Sequence, residues 1–167
     1  MSWAERSVER SVRLRAPSLE RSRARSAQRA RVIVDAARRL FAQKGDAFTT
    51  QDLVKEGIAL QTFYNYFASK DELVLAVIED VVSEYCALYA EGARDLPDPI
   101  ARLRFYIVSS FDLLDEAGVD VATSRFVVSA QWRLQRLFPH ETTIAAIKPY
   151  ADLLVPEIEA GVKAGLL

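Results

Sequence analysis

Apolar side chains recur along most of the chain at the three- and four-residue spacing that is typical of amphipathic helices. The first such stripe lies in a helix that is predicted to begin near Ala27, and it consists of Ile33, Ala36, Ala37, Leu40 and Phe41. No segment alternates convincingly between apolar and polar positions over five residues, as a half-buried strand would. The pattern therefore predicts an all-α fold.

Two short helices follow the first one. Gly45 is a plausible C′ residue for the first helix, and the second helix starts at Thr49, where Asp52 supplies the acidic half of a capping box. Gly57 breaks this second helix. Its buried side is predicted to consist of Leu53 and Val54.

The third helix is predicted to span about Ala59 to Phe67 and has two different faces. Its apolar stripe consists of Leu60, Phe63 and Phe67, and its polar stripe consists of Gln61, Thr62 and Asn65. A recognition helix needs one apolar stripe that holds it to its neighbours and one stripe of short polar groups that enters the major groove. The second and third helices are therefore predicted to form a helix-turn-helix.

A long fourth helix follows this motif. Ser69 is its predicted N-cap, and Glu72 completes a second capping box. The helix continues toward Gly92, and its buried stripe is predicted to consist of Leu73, Val77, Val81, Tyr85 and Leu88.

Three more helices complete the predicted fold. Asp98 is the N-cap and Pro99 the first residue of the fifth helix, which runs to about Ala117 with the inward residues Leu103, Ile107, Phe111 and Leu114. A sixth helix is predicted over residues 120–137. A seventh helix begins at Pro139 and reaches the end of the chain. Its internal prolines, Pro149 and Pro156, are expected to kink or divide it.

Charge is divided unevenly between the two halves of the chain. Residues 1–70 carry 14 lysines and arginines against 7 acidic residues, whereas residues 71–167 carry 8 against 16. Such a division is typical of a protein whose basic part meets a polyanion, although a solvated basic tail fits the charges equally well.

Residues 1–28 lack a sustained apolar period and are predicted to form a mostly disordered arm. This arm could follow the minor groove or the phosphates, or it could serve only as a solubilising tail. Its arginines, together with Arg29 just beyond it, are Arg6, Arg10, Arg13, Arg15, Arg21, Arg23 and Arg25.

Composition argues against several other functions. One cysteine, Cys86, excludes an internal disulfide framework and suits the reducing cytoplasm; we interpret it as a small buried residue. The single histidine, His140, is expected at the surface of a helix start, and one histidine with one cysteine offers too few ligands for a metal site. No apolar run is long enough for a membrane span, and no catalytic motif is present, so neither an enzyme nor a cofactor is predicted.

The segment from Thr49 to Leu73 resembles the DNA-binding signature of the TetR family of bacterial transcriptional regulators. Its most specific part is the run Thr-Phe-Tyr-Asn-Tyr-Phe at residues 62–67 with Lys70 three positions later. The preceding stripe from Ile33 to Phe41, ended by Gly45, resembles the first helix of that family. The resemblance covers about residues 29–75.

The resemblance implies a homodimer that binds a palindromic operator in double-stranded DNA, usually as a repressor, and releases it when a small-molecule effector enters the C-terminal region. It implies contacts with the DNA backbone for Thr49 or Thr50, Thr62, Tyr64, Tyr66 and Lys70. It implies base reading for Leu60, Gln61 and Asn65. A phosphate beside Lys70 would also meet the free N–H groups at the start of the fourth helix.

The predicted organisation is an arm at residues 1–28, a helix-turn-helix domain at 29–75, and a helical domain for effector binding and dimerisation at 76–167. Aromatic residues could line the effector pocket, although plain core packing gives them the same spacing. The candidates are Phe105, Tyr106, Phe111, Phe126, Trp132 and Tyr150.

Two departures from the family pattern leave a second hypothesis open. The second helix is one residue short before Gly57, and Ala59 replaces the serine that commonly caps the recognition helix. The last domain is also expected to be shortened, because the family continues past a stretch like Gly161–Gly165 into two dimer-forming helices. The alternative is a helical interaction module that has lost autonomous DNA binding and pairs with another regulator's subunit.

Overall fold

The computed structural model describes residues 3, 4, 6, 7, 9, 19–112 and 135–167, and no residue in these ranges belongs to a strand. The all-α prediction is therefore confirmed for the described part of the chain. Its main helices are α1 (Leu19–Lys44), α2 (Thr50–Lys55), α3 (Leu60–Tyr66), α4 (Lys70–Gly92), α5 (Pro99–Asp112) and α6 (His140–Lys163). A 3-10 turn at Gly45–Ala47 separates α1 from α2.

Helix α1 begins at Leu19, eight residues before the start near Ala27 that the apolar pattern predicted. Residues 19–28, which the sequence placed in a mostly disordered arm, are therefore helical. This segment contains no glycine or proline. Residues 23–28 are exposed or half-buried, so no apolar period marks this part of the helix. The helix ends where predicted, because Gly45 has a φ of +57°.

The first three helices and the start of α4 enclose one apolar core. Phe41 of α1 and Phe48 of the following loop meet edge to face with ring centroids 4.6 Å apart. Phe63 and Phe67 stack with centroids 6.1 Å apart, and both are fully buried. The core holds α3 through its apolar stripe, as the sequence predicted.

Ion pairs join α1 to the middle of α4. Arg31 Nη1 lies 2.5 Å from Oδ1 of Asp80, and Arg38 Nη1 lies 2.7 Å from Oε2 of Glu84 and 3.4 Å from Oδ2 of Asp80. Asp80 therefore faces two guanidinium groups. These pairs fix the position of α1 along α4, the helix that continues into the second half of the fold.

The buried stripe of α4 differs from its prediction at the C-terminal end. Leu73, Val77 and Val81 are buried as predicted, but Leu88 is exposed and Tyr89 is buried in its place. The buried side continues the four-residue step from Leu73, Val77, Val81 and the half-buried Tyr85 to Tyr89. The predicted stripe instead took a three-residue step from Tyr85 to Leu88, which lies about 100° around the helix from Tyr89. Cys86 is buried, also as predicted.

Helices α5 and α6 pack on each other and on α4. Asp98 caps α5, since its carboxylate accepts a hydrogen bond from the N–H of Ala101. Leu103 is buried as predicted, but Tyr106 is buried where Ile107 was expected, and Ile107 is exposed. Arg102 joins α5 to α6 by a two-pronged pair with Glu157, both bonds 2.9 Å long.

Helix α6 is continuous across both of its prolines. Of the two outcomes expected at Pro149 and Pro156, a kink or a division, division is therefore wrong. Contacts with α4 and α5 on the buried side hold the helix together where the two missing N–H groups weaken it. Pro139 is its N-cap and His140, exposed, its first residue. Of the predicted sixth helix, only residues 135–137 are described, and they are helical. The predicted end of the fifth helix, with Leu114 and Ala117, lies outside the described residues.

Candidate nucleic-acid interface

The start of α2 is organised around the carboxylate of Asp52. This carboxylate accepts hydrogen bonds from the backbone N–H of Thr49 at 2.9 Å and from the Thr49 hydroxyl at 3.0 Å, which confirms the predicted capping box. Lys44 Nζ lies 2.6 Å and Lys55 Nζ 3.3 Å from its other oxygen. The Lys44 ammonium and the Thr49 N–H hold the pKa of Asp52 well below its usual range.

The turn between α2 and α3 is a Schellman motif. The N–H of Gly57 donates to the carbonyl of Val54, and the N–H of Ile58 donates to the carbonyl of Leu53, both at 3.0 Å. Gly57 has a φ of +85°, which suits a residue without a Cβ. Ile58 is buried against this end of α2. The two bonds close the turn although α2 is one residue shorter than the family pattern.

The inner side of α2 differs from the prediction at one residue. Leu53 is fully buried, but 41% of Val54 is exposed. Since α2 has only six residues, one inward position is enough to hold it, and the next residue lies about 100° around the helix. Val54 therefore adds an apolar group to the surface of the motif.

The outer side of α3 carries the predicted polar residues. Gln61 is exposed, Thr62 and Asn65 are half-buried, and the Gln61 amide donates a hydrogen bond to Oδ1 of Asn65 at 3.2 Å. Tyr64 is 51% exposed, and its ring meets the buried Phe63 ring edge to face at 4.8 Å. This geometry brings Gln61, Tyr64 and Asn65 together on an accessible surface.

Two residues of α3 lie deeper than the sequence predicted for DNA contacts. Tyr66 is only 5% exposed and belongs to the core around α1 and α4, so most of its ring is unavailable to a ligand. Leu60 is half-buried at the first position of the helix, and its N-cap Ala59 makes no capping bond with its side chain. An alternating Tyr-x-Tyr spacing puts successive tyrosines on different sides of a helix, which explains why Tyr64 and Tyr66 differ.

The predicted backbone contacts at the starts of α2 and α4 are accessible but already engaged. Thr49 is exposed, and its hydroxyl donates to Asp52; Thr50 is half-buried. Lys70 Nζ lies 4.5 Å from the centre of the Phe48 ring, a cation–π contact that holds its stem at the N-terminus of α4. Ser69 caps this helix as predicted, since its hydroxyl accepts the N–H of Glu72, and the Glu72 carboxylate accepts the N–H of Ala68.

The helix-turn-helix is not itself basic. Residues 45–72 contain two lysines against five carboxylates. Exposed arginines lie instead on the N-terminal part of α1, at Arg23, Arg25 and Arg29. Sequence reasoning assigned Arg23 and Arg25 to the arm and Arg29 to the start of the first helix, because no apolar stripe marks the N-terminal part of α1.

Of the predicted effector-pocket residues, the structure describes the side chains of Phe105, Tyr106 and Tyr150. Phe105 is half-buried beside Tyr106 and covers Gly92, where a Cβ would lie 2.6 Å from its ring. The side chain of Phe111 and residues Phe126 and Trp132 lie outside the described residues. Phe105 belongs to an aromatic cluster between α4, α5 and α6, and this cluster also contains Tyr85, Tyr89, Tyr106 and Tyr150.

Polar bonds cross this aromatic cluster. The Tyr89 hydroxyl donates to the carbonyl of Ser109 at 3.3 Å, and the hydroxyls of Ser110 and Tyr150 are 2.8 Å apart. Burial raises the pKa of Tyr89 to about 12 and that of Cys86 to about 11, so both groups are neutral near pH 7. Within the described ranges, no three histidine, cysteine or carboxylate side chains are grouped to hold a metal ion, and no helix is long and apolar enough to cross a bilayer.

Comparison with known proteins agrees with this geometry. Residues 33–77 match the sequence profile of the family described as bacterial regulatory proteins, tetR family. A stretch of 47 residues is 47% identical to YvaF of Bacillus subtilis (strain 168), an uncharacterized HTH-type transcriptional regulator. That stretch is 28% of this chain and 25% of the relative, so the match spans about a quarter of the relative's length. No solved structure matches the chain. Residues 33–77 are therefore similar to the tetR family of bacterial regulatory proteins, over about a quarter of the chain.

Proposed function

We propose that this chain is a transcriptional regulator that reads DNA bases with α3. The observation that carries the proposal is the division of this seven-residue helix between two roles. Phe63 anchors it in the core, while Gln61 and Asn65 present amide groups on the opposite side. Amide side chains can pair with adenine edges in the major groove, so these two residues are the proposed base readers.

Contacts with the DNA backbone are proposed for Tyr64, Lys70, Thr62 and the pair Thr49 and Thr50. Tyr64 is the best supported, since about half of its surface is exposed next to the base-reading residues. Tyr66 is proposed to support α3 from the core, and only the edge of its ring is accessible for a phosphate. Leu60 would make apolar contacts with a base edge at the N-terminus of α3.

The electrostatic attraction for DNA is proposed to come from α1 rather than from the helix-turn-helix. Residues 45–72 have an excess of carboxylates, whereas Arg23, Arg25 and Arg29 are exposed on the N-terminal part of α1. Guanidinium groups on a rigid helix can neutralise phosphates and release counterions. Truncating this part of α1 should therefore weaken binding to any DNA sequence.

The proposed assembly is a homodimer on a palindromic operator. The outer face of α6 exposes apolar side chains at Val155, Ile158 and Val162, which recur at helical spacing. Exposed apolar stripes of this kind favour contact with a partner. Two copies related by a two-fold axis would read half-sites about 34 Å apart.

The proposed regulation is repression that a small-molecule effector relieves. Helix α4 supports this proposal because it contributes Val81 to the core of the helix-turn-helix and Tyr89 to the aromatic cluster. A ligand among these aromatic side chains would act on the same rigid helix that holds α3. Such a regulator would work in the bacterial cytoplasm, bound to the nucleoid.

A binding assay with fragments of bacterial genomic DNA tests this function. We expect specific retention of one or a few fragments, with a protein mass of two chains per operator in solution. The logarithm of the binding constant should fall linearly with the logarithm of the salt concentration, by about 0.9 for each phosphate neutralised. The double variant Gln61→Ala, Asn65→Ala should lose the preference for those fragments while keeping its fold.

The carboxylate excess around α3 favours the second candidate, an interaction module that pairs with another regulator's subunit. This module would retain no DNA alone at any salt concentration, although it would be folded and monomeric or dimeric. Such a result would contradict the first proposal. Specific retention by the chain alone would contradict the second.

A further inference from the structure

A cavity of about 300 Å³ lies where the N-terminal residues, α4 and α6 meet. Trp3 forms part of one wall, Glu79 and Ser83 of α4 form another, and Pro149 and Asp152 lie on the α6 side. This volume is at the small end of the range for ligand sites, which is about 300–1,000 Å³. The cavity is separate from the aromatic cluster around Tyr89.

The carboxylate of Glu79 is the dominant charge of this cavity. It is 6% exposed, and it accepts hydrogen bonds from the backbone N–H of Trp3 at 2.6 Å and from Nη2 of Arg6 at 2.7 Å. Each oxygen of a carboxylate has two lone pairs, so both can accept a further bond. The chain thus satisfies a buried carboxylate with a cation from its own N-terminus, although Arg6 does not line the cavity.

The other charged groups of the lining favour the same sign of ligand. Lys148 Nζ is held by both oxygens of Asp152, at 2.6 and 2.5 Å, so its charge is balanced locally. Glu79 is paired with Arg6, which lies outside the lining, so the Glu79 carboxylate is a charge of the lining whose partner is not itself part of the lining. A cationic donor would make a stronger bond to this carboxylate than a neutral donor would.

We propose that this cavity binds a small organic cation, an amine or guanidine with an apolar body. The cationic head would bond to Glu79, and its body would lie against the Trp3 and Pro149 side of the lining. An aromatic wall suits a cation with an apolar body. Since Arg6 bonds to the same carboxylate, Arg6 competes with the ligand for Glu79.

The test uses the intrinsic fluorescence of Trp3 in the full chain. The sequence contains two tryptophans, so the background substitution Trp132→Phe leaves Trp3 as the sole tryptophan. Excitation at the red edge of the tryptophan band, where tyrosine does not absorb, then reports on Trp3. Benzylammonium is the probe, and benzyl alcohol is the uncharged control of the same shape. We expect a saturable change of emission with benzylammonium at neutral pH and binding at least about tenfold weaker for the alcohol, which lacks the charge-assisted bond.

Two substitutions are expected to act in opposite directions. Glu79→Gln removes the negative charge and should weaken benzylammonium binding by about tenfold or more, whereas Arg6→Gln removes the competing cation and should tighten it. Glu84→Gln changes another carboxylate of α4 that does not line the cavity, and it should leave binding unchanged. Melting curves establish that each variant is folded.

Three results would overturn the inference. The first is that benzyl alcohol binds as tightly as benzylammonium, and the second is that the fluorescence change does not saturate. The third is that benzylammonium binds more weakly to both Arg6→Gln and Glu79→Gln, as it would if the ion pair were purely structural. If Glu79→Gln does not fold, the sign of the Arg6→Gln effect and the comparison with benzyl alcohol decide. The measurement uses no DNA, so its failure is independent of the proposed regulator function.

Discussion

The side-chain amide of Gln61 donates a hydrogen bond to Oδ1 of Asn65 across one turn of α3, at 3.2 Å. The two residues proposed to read bases therefore orient each other in the free protein. This hydrogen bond is exposed, so water can replace it when it breaks. Its loss leaves no buried polar group without a partner and costs about 1 kcal/mol. Each amide could be redirected to a base edge without disturbing the core.

Replacement of Gln61 by alanine should alter the choice of DNA sequence more than the general affinity. Loss of a base contact reduces discrimination at that position by about 1–3 kcal/mol. Competition between the operator and single-base variants, followed by fluorescence anisotropy, measures this change. Gln43→Ala, an exposed glutamine near the end of α1, is the matched control. Unchanged base preference in Gln61→Ala would mean that α3 does not read the sequence at this residue.

Replacement of Tyr64 or Lys70 should weaken binding to all sequences alike. Tyr64→Phe removes only a hydroxyl at the exposed end of the ring, and Lys70→Ala removes one positive charge. The latter should also reduce the salt dependence by about one phosphate contact. Titrations at several salt concentrations give both quantities, with Lys163→Ala at the end of α6 as the control. A change in base preference instead would contradict the assignment of these two residues to the backbone.

Local signals explain why much of the motif could be predicted. The capping box of Thr49 and Asp52, the turn at Gly57 and the N-cap at Ser69 each depend on residues within four positions of one another. The apolar stripe of α3 has the same local character, since Phe63 and Phe67 lie one turn apart. These features need no knowledge of distant parts of the chain.

Tertiary contacts explain where the prediction failed. Tyr66 and Leu88 differ from expectation because the buried side of a helix depends on which elements pack alongside it, and the spacing within the helix does not reveal those neighbours. The ion pairs of Arg31 and Arg38 join positions more than 40 residues apart, so no short pattern contains them. The helical continuation of α1 to Leu19 had no apolar stripe to mark it.

The turn between α2 and α3 should be sensitive to the residue at position 57. Gly57→Ala keeps open space around the new Cβ, so its cost arises from the backbone φ of +85° alone. A left-handed conformation costs an alanine about 1–2 kcal/mol. Asparagine tolerates this region better, so Gly57→Asn should lose less stability. Urea unfolding measures the difference, and equal stability of all three forms would show that the turn relaxes to another conformation.

The Asp52 carboxylate should make the helix-turn-helix sensitive to acid. Its pKa is lowered in the folded state by Lys44 and the Thr49 N–H. A lowered carboxyl pKa contributes stability above the unfolded value, near about 3.9, and this contribution is lost as pH falls toward the folded value. The free energy of unfolding should therefore decline below about pH 5, and Asp52→Asn should be less stable at neutral pH but decline less steeply in acid. Asp95→Asn, a change outside the motif, provides the control; parallel pH curves for wild type and Asp52→Asn would contradict this role.

The N-terminus of α3 should become more stable when it receives a capping side chain. Ala59 already has the extended backbone of an N-cap, with φ −60° and ψ 138°, but its methyl group can accept no hydrogen bond. A serine hydroxyl at this position can accept an N–H from the first turn of α3, so Ala59→Ser should raise the free energy of unfolding by about 1 kcal/mol. Valine gives a control because it supplies no acceptor and is as poor an N-cap as alanine, so Ala59→Val should not reproduce the gain. Fraying of this seven-residue helix would displace Gln61, so the serine variant should also bind the operator more tightly. A gain in stability with unchanged operator affinity would mean that the first turn of α3 is already fixed in the natural chain.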